Sequence, residues 1–184
     1  MDKLEIDNIL KLNELNSELD LERATSIYGK LRWMIKEDST LEPIQQHLKS
    51  LISHYEKSYW NDESGITDEQ IAKSDFAEKI VSSENKFIQK RKDLIRGKLK
   101  DNGISQQDLA KILGHRPNYM SELINGIRPF SRDDIVVLHR LFEIEFKDIV
   151  PPFLKAEVTN HIKQTLGELK NKKMRLQIKD IETV

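Results

Sequence analysis

Nine of the polar or charged side chains between Gln106 and Arg128 are candidates for contacting a nucleic acid: Gln106, Lys111, Arg116, Asn118, Tyr119, Ser121, Glu122, Asn125 and Arg128. Asn118, Tyr119, Ser121 and Glu122 offer amide, hydroxyl and carboxylate groups that can hydrogen-bond to base edges in a DNA major groove. Lys111, Arg116, Asn125 and Arg128 are of the types that contact phosphate oxygens. Chemistry of this kind needs one face of a short helix to carry the readers and cations beside it to hold the backbone.

The residues around this set predict such a frame. Ser105, with Asp108 three residues later, is placed to cap a helix. Leu109, Ala110, Ile112 and Leu113 then give one apolar face over about nine residues. Gly114 supplies the left-handed turn that ends the helix. Pro117 suits the first turn of the next one. Met120, Leu123 and Ile124 form the second apolar stripe, and Asn125-Gly126 is a stop signal. Ala110 and Gly114 are small and four apart, so the helices can cross closely, with Met120 and Leu123 between them. Asn118, Tyr119, Ser121 and Glu122 are left for the solvent face. The stretch Ser105–Phe130 thus reads as a helix-turn-helix.

Gln106, Ala110, Gly114, Met120 and Leu123, followed by Asn125-Gly126, resemble the helix-turn-helix of the lambda-repressor/Cro-like (XRE) family, over roughly Phe87 to Pro151. The run LINGIRPFS resembles the HigA-type antitoxin branch, and Leu51-Ile52-Ser53-His54-Tyr55-Glu56 is similar to that branch's Leu-Ile-x-x-Tyr-Glu segment. The resemblance implies a homodimer on a palindromic double-stranded operator in its own promoter. It also implies a small, basic toxin partner of the RelE-like mRNA-interferase kind. Gln106 would then clamp a phosphate and support the second helix. Many family members carry a polar residue, often Gln, where this chain has Pro117. Reading therefore falls to Asn118, Tyr119 and Glu122. Taken alone, Tyr55 and Glu56 also read as a packed tyrosine and an ordinary carboxylate.

The net charge of −1 is unevenly spread. Residues 1–85 carry 10 Lys/Arg against 18 Asp/Glu, a net of −8, while residues 86–132 carry 11 against 4, a net of +7. Residues 133–150 come to −3 and residues 151–184 to +3. The basic block coincides with the helix-turn-helix and the helix before it, as a phosphate-facing surface requires. An acidic first half suits a basic protein better than DNA. With no cysteine there is no disulfide or thiolate metal site. No Gly-rich phosphate loop or HExxH occurs, and the five histidines have no ligand-like spacing. No enzyme, cofactor or metal is expected. No membrane-spanning run and no secretory signal are visible, so a cytoplasmic protein is expected.

The expected fold is all-α. Residues 1–64 form a helical region for toxin binding or dimerisation, with apolar periodicity over 3–21, 22–37 and 40–60. Thr40 is the cap expected for the last of these. Residues 65–152 form a five-helix lambda-repressor-like DNA-binding bundle. Thr67-Asp68-Glu69-Gln70 opens its entry with a capping box. Ser74-Asp75 is a break point before a long basic helix over 84–101. Residues 153–184 form a C-terminal extension with one helix and, over Met174–Ile178, a short strand that would need an edge to pair with. An alternative to the antitoxin is a stand-alone XRE regulator with an N-terminal sensing or dimerisation module. A structural or adaptor protein with a vestigial helix-turn-helix is a third reading.

Overall fold

The computed structural model describes residues 4–61, 65–154, 156–169 and 176. All regular structure among them is helical. The strand expected over Met174–Ile178 lies, apart from Leu176, outside the described residues, as do three of the five residues expected as a linker at 61–65.

The first layer holds α1 (Ile6–Ile9), α2 (Glu18–Met34) and α3 (Glu42–Tyr59). Ser17 caps α2 by accepting from Asp20 N. Asp38, rather than Thr40, caps the short turn before α3: its carboxylate accepts from Thr40 N at 3.0 Å and from Thr40 Oγ1 at 2.6 Å. Pro43 then occupies the first turn of α3, where a missing N–H costs nothing. Ile9, Leu31 and Leu48 are fully buried between these helices. Tyr55 is buried too, and its hydroxyl donates to Glu18 Oε1 at 2.9 Å. Glu56, beside it, is exposed.

Helix α4 (Asp68–Asp101) runs unbroken for 34 residues. Its start is the expected capping box of Thr67 and Gln70. Ser74-Asp75 does not interrupt it, because helical propensity on both sides and packing on α2 outweigh two weak helix formers. Arg23 on α2 forks onto Glu84 on α4, and Ser26 Oγ donates to Asn85 Oδ1 at 2.9 Å. The first half of α4 thus packs with the N-terminal helices, and its second half contributes Ile95 and Leu99 to a separate core.

That second core is completed by α5 (Gln106–Leu113), α6 (Pro117–Ile124), α7 (Arg132–Phe142) and α8 (Phe146–Ile149). Leu109, Met120, Leu123, Ile124, Leu138 and Ile149 have no exposed surface. Leu141 of α7, assigned to the core face from its spacing, is instead 39% exposed. A last helix, α9 (Ala156–Leu169), follows. Ile127, in the loop after α6, packs into the N-terminal core rather than the bundle. The two cores therefore meet along α4 and at that loop.

Candidate nucleic-acid interface

Ser105 caps α5 through a reciprocal capping box with Asp108. Gly114 closes α5 at φ 72°, a left-handed conformation open to glycine at little cost. Arg116 then stands at the N-cap of α6, and Pro117 begins it. Ala110 is 1% exposed and Met120 fully buried, which is the close crossing that the small residues allow. Ile112 departs from its expected place in the apolar face and is 51% exposed.

Four of the nine side chains are exposed: Lys111, Arg116, Asn118 and, at 37%, Tyr119. Lys111 lies 3.8 Å from Asp108, one turn back on the same helix. Gln106, at the start of α5, and Ser121, on α6, are half-buried. The Asn125 amide donates to Ser121 O at 2.8 Å and so closes the last turn of α6.

Glu122 and Arg128 differ from expectation. Glu122 is buried, so its placement on the solvent face is corrected. Backbone geometry explains this. The loop folds back so that Ile127 N and Arg128 N both donate to Glu122 O, at 2.9 and 3.3 Å. That brings the Arg128 guanidinium onto the Glu122 carboxylate through Nε. The remaining edge of Arg128 grips Asp7 of α1, with Nη2 donating to Oδ1 at 2.8 Å and Nη1 to Oδ2. Hydrogen bonding from Arg128 holds the Asp7 carboxyl below the usual range. The guanidinium also lies 5.0 Å from the Tyr119 ring centroid. Arg128 is thus already satisfied, by two carboxylates and a ring.

A second carboxylate reaches the same face. Asn118 Nδ2 donates to Asp38 Oδ2 at 2.9 Å across 80 residues of sequence. Asp38 is held below its ordinary range first by Thr40 and, to a lesser degree, by Asn118. His115 does not face outward either: its Nε2 is 2.9 Å from Asp134 Oδ1, a buried carboxylate that also caps α7 with Ser131. The Ser131-x-x-Asp134 spacing signals the cap. No spacing signals the partners Asp7, Asp38 or His115, since each contact closes only when the helices pack.

The arrangement presents a short helix whose amino-terminal end, from Arg116 to Tyr119, is exposed and flanked by cations. A helix N-terminus with free N–H groups and a nearby guanidinium attracts phosphate. Residues 95–149 match the Helix-turn-helix family model. Fold and match together identify residues 95–149 as an XRE-type helix-turn-helix domain, a DNA-binding unit in the second half of the chain. No curated protein and no solved structure matches the chain. No helix is long and apolar enough to cross a membrane, and no group of three or more His, Asp or Glu could hold a metal ion, among the described residues.

Proposed function

We propose that the chain is a sequence-specific transcriptional repressor, and within that class the antitoxin of a type II, HigBA-like toxin-antitoxin pair. It binds a palindromic operator as a homodimer, represses its own operon and neutralises a small basic mRNA-interferase toxin. The observation that carries the repressor reading is the exposed amino-terminal end of α6, with Asn118 and Tyr119 as readers and Arg116 and Lys111 beside them. Leu141, Phe146 and Val150, exposed at 39%, 45% and 40%, give apolar surface for a second copy to cover. The antitoxin reading rests on the acidic first half, net −8 over residues 1–85, and on the resemblance of residues 51–56 and 123–131 to that branch.

Two variants test operator reading. Asn118→Ala costs about 1–3 kcal/mol on operator and relaxes specificity there. Arg116→Ala weakens operator and random duplex alike and lowers the salt slope by about one. Equal losses on both DNAs for both variants would remove the base-reading role. Co-expression with the product of the adjacent reading frame tests the toxin arm: failure to bind it or to relieve growth arrest excludes that arm.

A second reading, a stand-alone regulator with a sensing module, is favoured by one specific observation. A cleft runs between the N-terminal helices and the bundle, and its wall includes the loop after α6.

A further inference from the structure

Arg91, on α4, is 3% exposed, yet no carboxylate pairs with it among the described residues. Its Nε has no hydrogen-bond partner among the described residues. The guanidinium lies 5.0 Å from the Phe130 ring and 5.8 Å from the Phe87 ring, which satisfies part of its charge and none of its N–H groups. A buried unpaired charge is costly and rarely kept without a partner. Burial pushes this guanidinium down to about 10, and at neutral pH it still carries its proton.

Arg91 lines a cleft of about 290 Å³ between the two halves of the molecule. Six charged residues border that cleft: Glu5, Arg23, Lys30, Glu84, Arg91 and Arg128. Four are cations and two are acids. Arg23 is taken by Glu84, and Arg128 by Glu122 and Asp7. Lys30 has no ion pair among the described residues and is half-buried. That leaves Arg91 and Lys30 against the single carboxylate of Glu5, so the remaining wall carries a net positive charge. The rest of the wall is largely apolar, with Ile27, Val81, Ile88, Ile127 and Phe153.

We propose that this cleft is a binding site for a small organic anion with an apolar body and a carboxylate head. The carboxylate takes the unpaired edge of Arg91, whose planar fork matches its two oxygens. Lys30 adds a second charge, and the apolar body lies against Ile27, Ile88 and Phe153. The volume equals about ten waters at ~30 Å³ each, which sets the ligand's size near that of a medium-chain fatty acid or an aryl acetate. Polar groups few in number and convergent on an apolar cleft are the ordinary makeup of a small-molecule site. One wall is the loop from Gly126 to Pro129, which leads directly out of α6. The site is independent of the DNA-binding reading, because occupancy is read on the protein alone.

The test uses the full chain with octanoate, phenylacetate and indole-3-acetate, in calorimetry and thermal unfolding. Octanol and phenylethanol carry the body without the head, and inorganic phosphate carries a head without the body. The expected result is a rise in Tm and measurable heat with at least one carboxylate, and none with the alcohols or phosphate. Arg91→Met weakens that binding about tenfold or more. It leaves the ligand-free Tm equal or higher, since an unpaired buried charge has gone. Lys30→Met weakens binding several-fold, and because that residue is only half-buried it keeps the test alive if Arg91→Met does not fold. No response to any of the three carboxylates, equal response to the alcohols, or undiminished binding in both variants overturns the proposal.

Discussion

Asn118 shows how a residue fit for one task is held at another. Its amide is exposed at the start of α6, yet it donates to Asp38. A carboxylate in that place also repels an approaching phosphate backbone. Asp38→Asn keeps the capping of the turn at Thr40, since asparagine caps about as well. It is expected to tighten duplex binding about two- to tenfold, as a hydrogen bond to a charged group no longer competes. Fluorescence anisotropy at fixed salt measures this, and an unchanged Kd would show that Asn118 needs no release. Of the nine side chains picked out from spacing, the solvent placement of Asn118 and Tyr119 was readable because helical period alone sets it. That of Glu122 was not. A loop folding back six residues later decided it, through Arg128.

Among the elements, the loop after α6 couples the most. Gly126 stands at φ 70°, and a Cβ there would lie 2.5 Å from Ile88 Cγ2 on α4. Glycine is required twice over, by the left-handed backbone and by the close approach. Gly126→Ala is expected to cost about 1–3 kcal/mol through overpacking and strain, measured by urea unfolding. A loss within error would mean that the loop can move away from α4 freely. The turn residues Asn125-Gly126 were legible as a stop signal, but the reason for the glycine lay in a helix 38 positions upstream. In the same way, α4 was read as two helices about Ser74-Asp75. It is one, because the buried Ala77 and Val81, close behind that point, lie on its inner face. Sequence period weighs each window by itself, whereas packing on α2 rewards continuity.

For the whole molecule, charge and burial act together. Lys30 faces the module boundary, and burial lowers it from 10.5 to about 8. Above pH 8 the folded protein gives up this proton while the unfolded chain keeps it. The unfolded state then binds more protons, so stability rises with pH between about 8 and 10.5 on this group's account. Tyr55 acts oppositely: its pKa is raised, by burial first and Glu18 second, so its contribution falls away above pH 10. The comparison is therefore made from pH 8 to 10. Lys30→Met is expected to lack the rise seen in the parent chain, in chemical unfolding at both ends of that range. Parallel curves would place Lys30 in solvent. The same boundary carries Arg91, Ile127 and the Arg128–Asp7 pair, so the N-terminal helices and the bundle are energetically joined where DNA reading and any ligand response would meet.

The sequence by itself determined the helical class, the helix-turn-helix between Ser105 and Phe130, its caps at Ser105 and Gly114, its restart at Pro117, and the basic block around it. All of these follow from interactions within about four residues or from summed charge, which the order of residues contains directly. Only the tertiary structure decided that Glu122 is buried, that Asp7 and Asp38 reach Arg128 and Asn118, and that Arg91 is enclosed with no counter-ion among the described residues. Those contacts join residues 80 and 121 positions apart, or leave a charge where no pattern forbids it. They exist because two cores share one long helix, and that arrangement is set by packing rather than by any local preference.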